Sequence, residues 1–234
     1  VTAAIPKVTA VLLNWRRPDN IPLILERLAE QPFVDEIVLW NNDDSICEHK
    51  DHSDWFWATG DVRLRLLFRF ANLGTWARFL ACREASCDWI ITQDDDCLCD
   101  NWPELYREAL AHPDAITANM HRNEDDTHDG LIYVDGKCWD VWLGWGSMFR
   151  RELIGDIFER YVAKWGEDEC LLRDADRVFA VALGRRHHAI QARTENLPGI
   201  DGPMAIHKDG RKHLTWLARR RGVQLAEKCE REGR

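Results

Sequence analysis

The sequence predicts an α/β fold, a mostly parallel Rossmann-like sheet followed by a smaller mixed region, and three observations predict it. Short apolar runs alternate with segments whose apolar residues recur at helical spacing, the pattern of βα units. Two of the runs end in polar clusters, NWRRPDN and NNDD, as buried strands feeding loops do. A further run ends in three consecutive aspartates, Asp94, Asp95 and Asp96.

Val8 to Leu13 reads as the first strand. Asp19 or Asn20 can cap the helix after it, whose residues Ile21, Ile24, Leu25 and Leu28 share one face. Glu36 to Trp40 is a second strand and Leu64 to Phe68 a third; Gly74 to Ser86 is helical in pattern, and Asp88 to Thr92 is the strand before the aspartates. Beyond about residue 102 the pattern is less regular. The segment GWGSMFRREL leads into an expected helix from about Arg151 to Lys164, and a further helix, Ala175 to Leu183, stops at Gly184. His187 to Gln191 reads as a last strand, with a helix from about Lys212. The 234 residues suit a single domain, with a first half to about residue 102 and a second half plus tail from 103 to 234.

An apolar fraction of 45% allows a sizeable core, and no apolar run is long enough to span a bilayer. The net charge of −9 argues against nucleic-acid binding, which needs a basic face. The acid is not spread evenly, and the tail from His207 to Arg234 is basic, with nine Lys/Arg against four Asp/Glu. That tail reads either as a solvated amphipathic helix or as a holder of diphosphate or an anionic acceptor. Eight cysteines at irregular spacing, several inside apolar helical stretches, read as reduced thiols and favour a cytoplasmic compartment; a removed N-terminal anchor is left open, as is the oligomeric state.

The aspartate triplet carries the most chemistry. Three adjacent carboxylates repel one another unless solvated or neutralised, and a hard divalent cation neutralises them. In an extended segment Asp94 and Asp96 lie on one side, at the strand end where open α/β sheets bind ligands. The alternative is a solvated acidic turn. NLGTWAR, Asn72 to Arg78, opens a helix whose N-terminus suits an anion, with Arg78 one turn in; an ordinary helix start is the alternative. In a parallel sheet these segments and the ends of the first two strands share one rim.

The segments VLLNWRRPDNIPLILERLAE, VDEIVLWNND, RFANLGTWARF and WIITQDDDCL resemble the nucleotide-sugar half of GT-A glycosyltransferases over residues 8 to 102. The closest likeness is to the exostosin-like family 64 enzymes, and the NxGxxxAR spacing is also similar to family 2. The resemblance implies a nucleotide-sugar donor, a hydroxyl acceptor, and Mn2+ or Mg2+ as cofactor. It implies donor contacts for Arg17, Asn42, Asn72, Arg78, Asp94 and Asp95, with Asp96 as main metal ligand, Asp94 beside it and His207 recruited late. It also implies a catalytic carboxylate. Asp176 and Asp174 have the better spacing from Gly184, although a helix cap would place Asp there too; Glu167 and Asp168 of WGEDE look like the family's Glu-Asp pair. Likeness to family 64 favours retention of anomeric configuration, and likeness to family 2 inversion. Trp139, Trp142 and Trp145 could stack on sugar rings or fill a core. Nucleotidyl transfer is disfavoured because NWRRPDN lacks glycine, and a non-catalytic carbohydrate-binding domain would leave the convergence at the rim without a purpose.

Overall fold

Strand β1 (Val8–Asn14) is buried at every position, and its side chains alternate between two cores. Val8, Ala10 and Leu12 enter one, Val11 and Leu13 the other. A strand covered on both faces needs apolar residues throughout, which is why the run is continuous rather than alternating. The computed structural model describes residues 5–43, 53–68, 71–120, 132–134, 138–184, 187–191, 193–199 and 212–231.

Helix α1 (Ile21–Ala29) buries Ile21, Ile24, Leu25 and Leu28 against the first core. Strand β2 (Val34–Asn41) then pairs parallel to β1. Helix α2 (Ser53–Thr59) packs beside α1, and β3 (Arg63–Phe68) pairs parallel to β2. Helix α3 (Trp76–Glu84) crosses to the other face, and β4 (Trp89–Gln93) returns parallel on the far side of β1.

The chain continues through β5 (Cys97–Cys99), α4 (Trp102–Ala111) and β6 (Thr117–Met120). Two short strands, β7 (Ile132–Val134) and β8 (Cys138–Asp140), pair antiparallel. Strand β9 (Ser147–Arg150) is followed by α5 (Ile157–Trp165), α6 (Glu169–Ala182), β10 (His188–Gln191), β11 (Thr194–Asn196) and α7 (Lys212–Arg231). The main sheet has the order β10-β6-β9-β4-β1-β2-β3, and β11 pairs with β5 alone. Every neighbour pair in the main sheet is parallel except those of β9, which runs antiparallel to both β4 and β6.

Three expectations are corrected. The helix foreseen from Arg151 is a 3-10 turn over Arg151–Ile154, and α5 starts at Ile157. The residues before it form β9, a central strand, with Met148 in one core and Phe149 in the other. A four-residue strand with two adjacent apolar residues, Met148 and Phe149, carries too little periodicity to show that. The helix foreseen from Ala175 begins at Glu169 and kinks at Asp174, whose φ is −129° and ψ 34°. Finally, Asn20 stands at the N-cap of α1 but makes no side-chain capping hydrogen bond: Pro18–Asn20 is a 3-10 turn, and Asn20 Nδ2 donates to the carbonyls of Asp95 and Pro198.

Candidate active site

Because β1, β2 and β4 are parallel, Asn14–Arg17, Asn41–Asp43 and Asp94–Asp96 meet on one rim. The first two strand ends are stitched together. Asn14 Nδ2 donates to Asn41 Oδ1 at 2.6 Å, and the Asn42 amide donates to the Asn14 carbonyl at 2.9 Å. Buried amides without partners would cost about 1–3 kcal/mol each, so these pairings fix the rim's shape.

The three aspartates have three different surroundings. Asp95 is buried and turned toward the β1 loop, accepting from the Trp15 amide at 2.5 Å and from Arg17 Nη1 at 2.7 Å. Arg16 between them has φ +62°, a left-handed conformation that lets both neighbours reach one carboxylate. Burial pushes Asp95 up to about 7 against the pull of Arg17. Asp96 is 20% exposed and lies 3.5 Å from Arg17 Nη2; burial and then the Asp94 charge raise it to about 6. Asp94 is 39% exposed, the most open of the three. Its amide donates to the Gly144 carbonyl at 2.8 Å, and a Cβ on Gly144 would sit 1.9 Å from Asp94 Oδ2. Only glycine fits there.

The residues present fit a divalent cation held in part by its substrate. The triplet's carboxylates do not converge as a three-ligand cage, since Asp95 is engaged elsewhere. Asp94 and Asp96 remain, partly exposed and electrostatically coupled, their shared negative charge raising Asp96. One or two carboxylates completed by phosphate oxygens is a usual arrangement for Mg2+.

Arg78 departs from expectation. It is fully buried, and its guanidinium pairs with Asp94 on one side and Asp176 on the other. Both ends of the fork are therefore taken by protein carboxylates, and the residue organises the site instead of reaching an anion. Burial raises Asp176 to about 6 although Arg78 pulls it down. Asp176 Oδ2 faces Arg78, while the buried Oδ1 has no hydrogen-bond partner among the described residues.

The kink in α6 delivers Asp176 to this place. At the kink the Leu172 carbonyl accepts from the Thr75 amide at 2.8 Å, and the Ala175 amide donates to Thr75 Oγ1 at 2.9 Å. Thr75 thus supplies partners for both groups. Gly74 makes the approach possible: its φ is +55°, and a Cβ there would lie 2.0 Å from the Leu172 carbonyl oxygen.

Other expected residues hold structure. Asn42 spends its amide on the 72–74 loop, donating to the Gly74 carbonyl and accepting from the Leu73 amide. Asn72 Oδ1 accepts from the Gly74 amide and shapes the same turn. Arg17 braces Asp95, Asp96 and the Gly199 carbonyl. Asp174 binds Arg173, Arg177 and the Thr215 hydroxyl, tying α6 to α7. Asp168 caps α6 through the Leu171 amide and accepts from Tyr161 and Arg221. Burial raises Asp168, but these donors outweigh it and hold the carboxyl below the usual range. Glu167 is exposed, and His207 lies outside the described residues. Two cations of the basic tail are engaged by carboxylates of the protein, Arg219 with buried Asp140 at 2.8 Å and Arg221 with Asp168 at 2.7 Å, while Arg220 lies over the Trp216 ring. Trp142 and Trp145 meet edge to face at 4.3 Å, and the Trp142 indole N–H has no protein acceptor. Sequence reasoning missed Asp140, which anchors Arg177 and Arg219, because a lone aspartate outside any motif carries no signal.

Among solved structures, this fold is similar to the mannosyltransferase PcManGT from Pyrobaculum calidifontis, in complex with GDP-Man and Mn2+, at 17% identity and a TM-score of 0.55. That match covers 81% of this chain and 56% of the mannosyltransferase. TarS 1–349 from S. aureus in complex with UDP is similar at 14% identity and a TM-score of 0.52, covering 79% of this chain and 58% of that one. The chain therefore spans under two thirds of either neighbour, and the likeness at these identities concerns the fold. A search of curated proteins finds no match. The sequence pattern of glycosyl transferase family 2 matches residues 9–158, which include β1, the aspartate triplet, Arg78 and Gly144, and the chain belongs to that family.

Proposed function

We propose that this protein transfers a sugar from a nucleoside-diphosphate sugar, with UDP-sugars favoured, to an acceptor hydroxyl, using Mn2+ or Mg2+. One observation carries the proposal: two partly exposed, coupled carboxylates, Asp94 and Asp96, sit at the carboxyl rim, and Arg78 joins Asp94 to a third carboxylate, Asp176. The bound ligands of the two fold neighbours, GDP-Man with Mn2+ and UDP, support the donor class and the cation.

Asp96 and Asp94 would hold the cation, which when bound neutralises charge developing on the departing diphosphate. Asp95 fixes the β1 loop and so the rim on which the donor rests. Membership of family 2 favours inversion over the retention that the family 64 likeness implies. In an inverting transfer the Asp176 carboxylate, whose side chain is 16% exposed at the rim, accepts the proton of the acceptor hydroxyl. A carboxyl raised to about 6 is a stronger base than an ordinary aspartate and is still ionised at neutral pH. Arg78 holds that carboxylate in place, and Asp168 and Asp174 position α6 rather than react. Trp142 and Trp145 form an aromatic wall two residues from Gly144 on one side and one on the other, suited to a sugar face. The described cysteines Cys82, Cys87, Cys97, Cys99 and Cys170 are free thiols, which supports a reducing compartment.

The experiment is turnover and calorimetric titration with a panel of UDP- and GDP-sugars, with and without Mn2+, followed by NMR of the product's anomeric centre. Asp96→Ala should lower turnover on the order of 10³-fold while the fold survives, because a metal supplies several kcal/mol to the transition state. EDTA should do the same to the wild type, reversibly. Full activity in chelator overturns the metal assignment.

A further inference from the structure

We propose that Glu108, His112 and His188 form a second cation site, selective for a borderline-soft divalent ion such as Zn2+ and separate from the acidic rim. Glu108 and His112 stand one helical turn apart at the end of α4, so they share a face. His188 opens β10, the edge strand that pairs with β6 and packs against α4. One ligand atom from each of the three lies within 4.8 Å of the others. All three residues are partly exposed, which leaves an entry path and room for a solvent ligand.

Distance decides what could occupy the space. Glu108 Oε2 and His188 Nε2 are 3.4 Å apart. Two ligands bound at about 2.0–2.1 Å on a tetrahedral ion lie roughly 3.3 Å from each other, so this pair already has the spacing of a shared Zn2+. The His112 and His188 rings stack at 4.2 Å between centroids with 25° between planes. Stacked rings aim their lone pairs almost parallel, so cation binding turns one ring out of the stack, which half-exposed rings can do. Two imidazoles and one carboxylate favour Zn2+ over Mg2+ or Mn2+, which prefer all-oxygen sites. Glu108 Oε1 is held by Arg107 at 3.2 Å, so the carboxylate offers its other oxygen in a fixed direction.

The place in the fold separates this site from sugar transfer. His188 begins β10, which is parallel to β6, and β6 runs parallel to β4 because β9 is antiparallel to both. The cluster therefore lies toward the amino-terminal rim, opposite Asp94–Asp96. A cation there ties the edge strand to α4.

Zn2+ binding to the full chain, measured by calorimetry in excess Mg2+, tests the proposal, with thermal melting as second readout. The wild type and Asp96→Asn should bind one Zn2+ with equal affinity and melt higher with it. His188→Gln and His112→Gln should each bind at least tenfold more weakly and lose the melting shift, while their circular dichroism and donor binding stay at wild-type values. With Co2+ as probe, the wild type should show the strong visible absorption of a four-coordinate site, and the His188→Gln protein should not. Unchanged Zn2+ affinity in both histidine variants overturns the proposal, as does loss of the Zn2+ site in Asp96→Asn alone.

Discussion

The two sides of the sheet are built differently. From β1 to β4, each strand is followed by a helix and a return, and the polar ends of the strands meet because parallel pairing forces them onto one rim. From β9 onward, placement depends on contacts between residues distant in sequence: β9 is inserted antiparallel between β4 and β6, and α6 is kinked where Thr75 intrudes. The first side forms its polar rim by topology alone. The second brings Asp176 to that rim by tertiary contacts. The difference teaches that one half of this site follows from chain order, while the other has to be held in place by buried charge and hydrogen bonds.

Arg78 is where the halves are joined, so the largest effect on stability should come from removing it. Arg78→Met leaves Asp94 and Asp176 facing each other without their shared cation. Loss of one partner from a buried ion pair costs about 3–5 kcal/mol, and urea unfolding should show a loss of that size. Adding Asp176→Asn to Arg78→Met should recover part of it, since the second buried charge is then gone. A loss below about 1 kcal/mol would mean that the two sides are coupled elsewhere.

Legibility of the fold follows the same division. The strands β1, β2 and β4 were visible as apolar runs because burial on both faces is written locally, the half-buried edge strand β3 as a shorter apolar run, and helices α1 and α3 as helical spacing. The antiparallel strand β9 was not, since its four residues gain their meaning from pairing with Trp89 to Thr92 on one side and Thr117 and Ala118 on the other. At the site, the aspartate triplet and its rim were legible from spacing. The separate duties of the three aspartates were not, because Asp95 is set by the left-handed turn at Arg16 and Asp94 by the absence of a side chain on Gly144. For Arg78 a helix N-terminus next to an arginine suggests an anion, and in the structure its guanidinium meets two carboxylates of the protein, Asp94 and Asp176.

Comparison of Asp176→Asn with Asp168→Asn sharpens the assignment on the second side. Asp176→Asn removes a charge at the rim and should lower turnover roughly 10²-fold or more, with donor affinity nearly intact, as for a group acting in the transition state. Asp168→Asn keeps a helix cap, since Asn caps almost as well as Asp, but loses the ion pair with Arg221. Its effect should fall on stability, by about 1 kcal/mol, with turnover within a few-fold of the wild type. The reverse outcome, a dead Asp168→Asn and an active Asp176→Asn, would move the reacting carboxylate to the WGEDE segment. Glu167→Gln, at an exposed position, is the control.

The last effect concerns how acid loosens the second side, and His187 carries it. This buried ring links three elements: Nε2–H donates to the Ala180 carbonyl of α6 at 2.8 Å, and Nδ1 accepts from the Ile116 amide next to β6 at 3.3 Å. Only the neutral ring can do both, since a proton on Nδ1 would face the Ile116 N–H. Burial accordingly lowers its pKa to about 4, from a value near 6.5 in the unfolded chain. Between those values the unfolded state binds the extra proton, so stability is fully present above about pH 6.5 and is lost as pH falls toward 4. The raised carboxyls Asp95, Asp96 and Asp176 act with the opposite sign, stabilising while protonated and losing that as pH rises toward 6 or 7. The wild-type profile therefore mixes both slopes, and the difference from a variant isolates one. His187→Gln retains a donor and an acceptor but cannot titrate. Subtracting its urea-derived stability from that of the wild type should leave a slope approaching about 1.4 kcal/mol per pH unit between pH 4.5 and 6, the value for one proton. A flat difference would show that His187 is not what couples acid to the packing of α6 on the sheet.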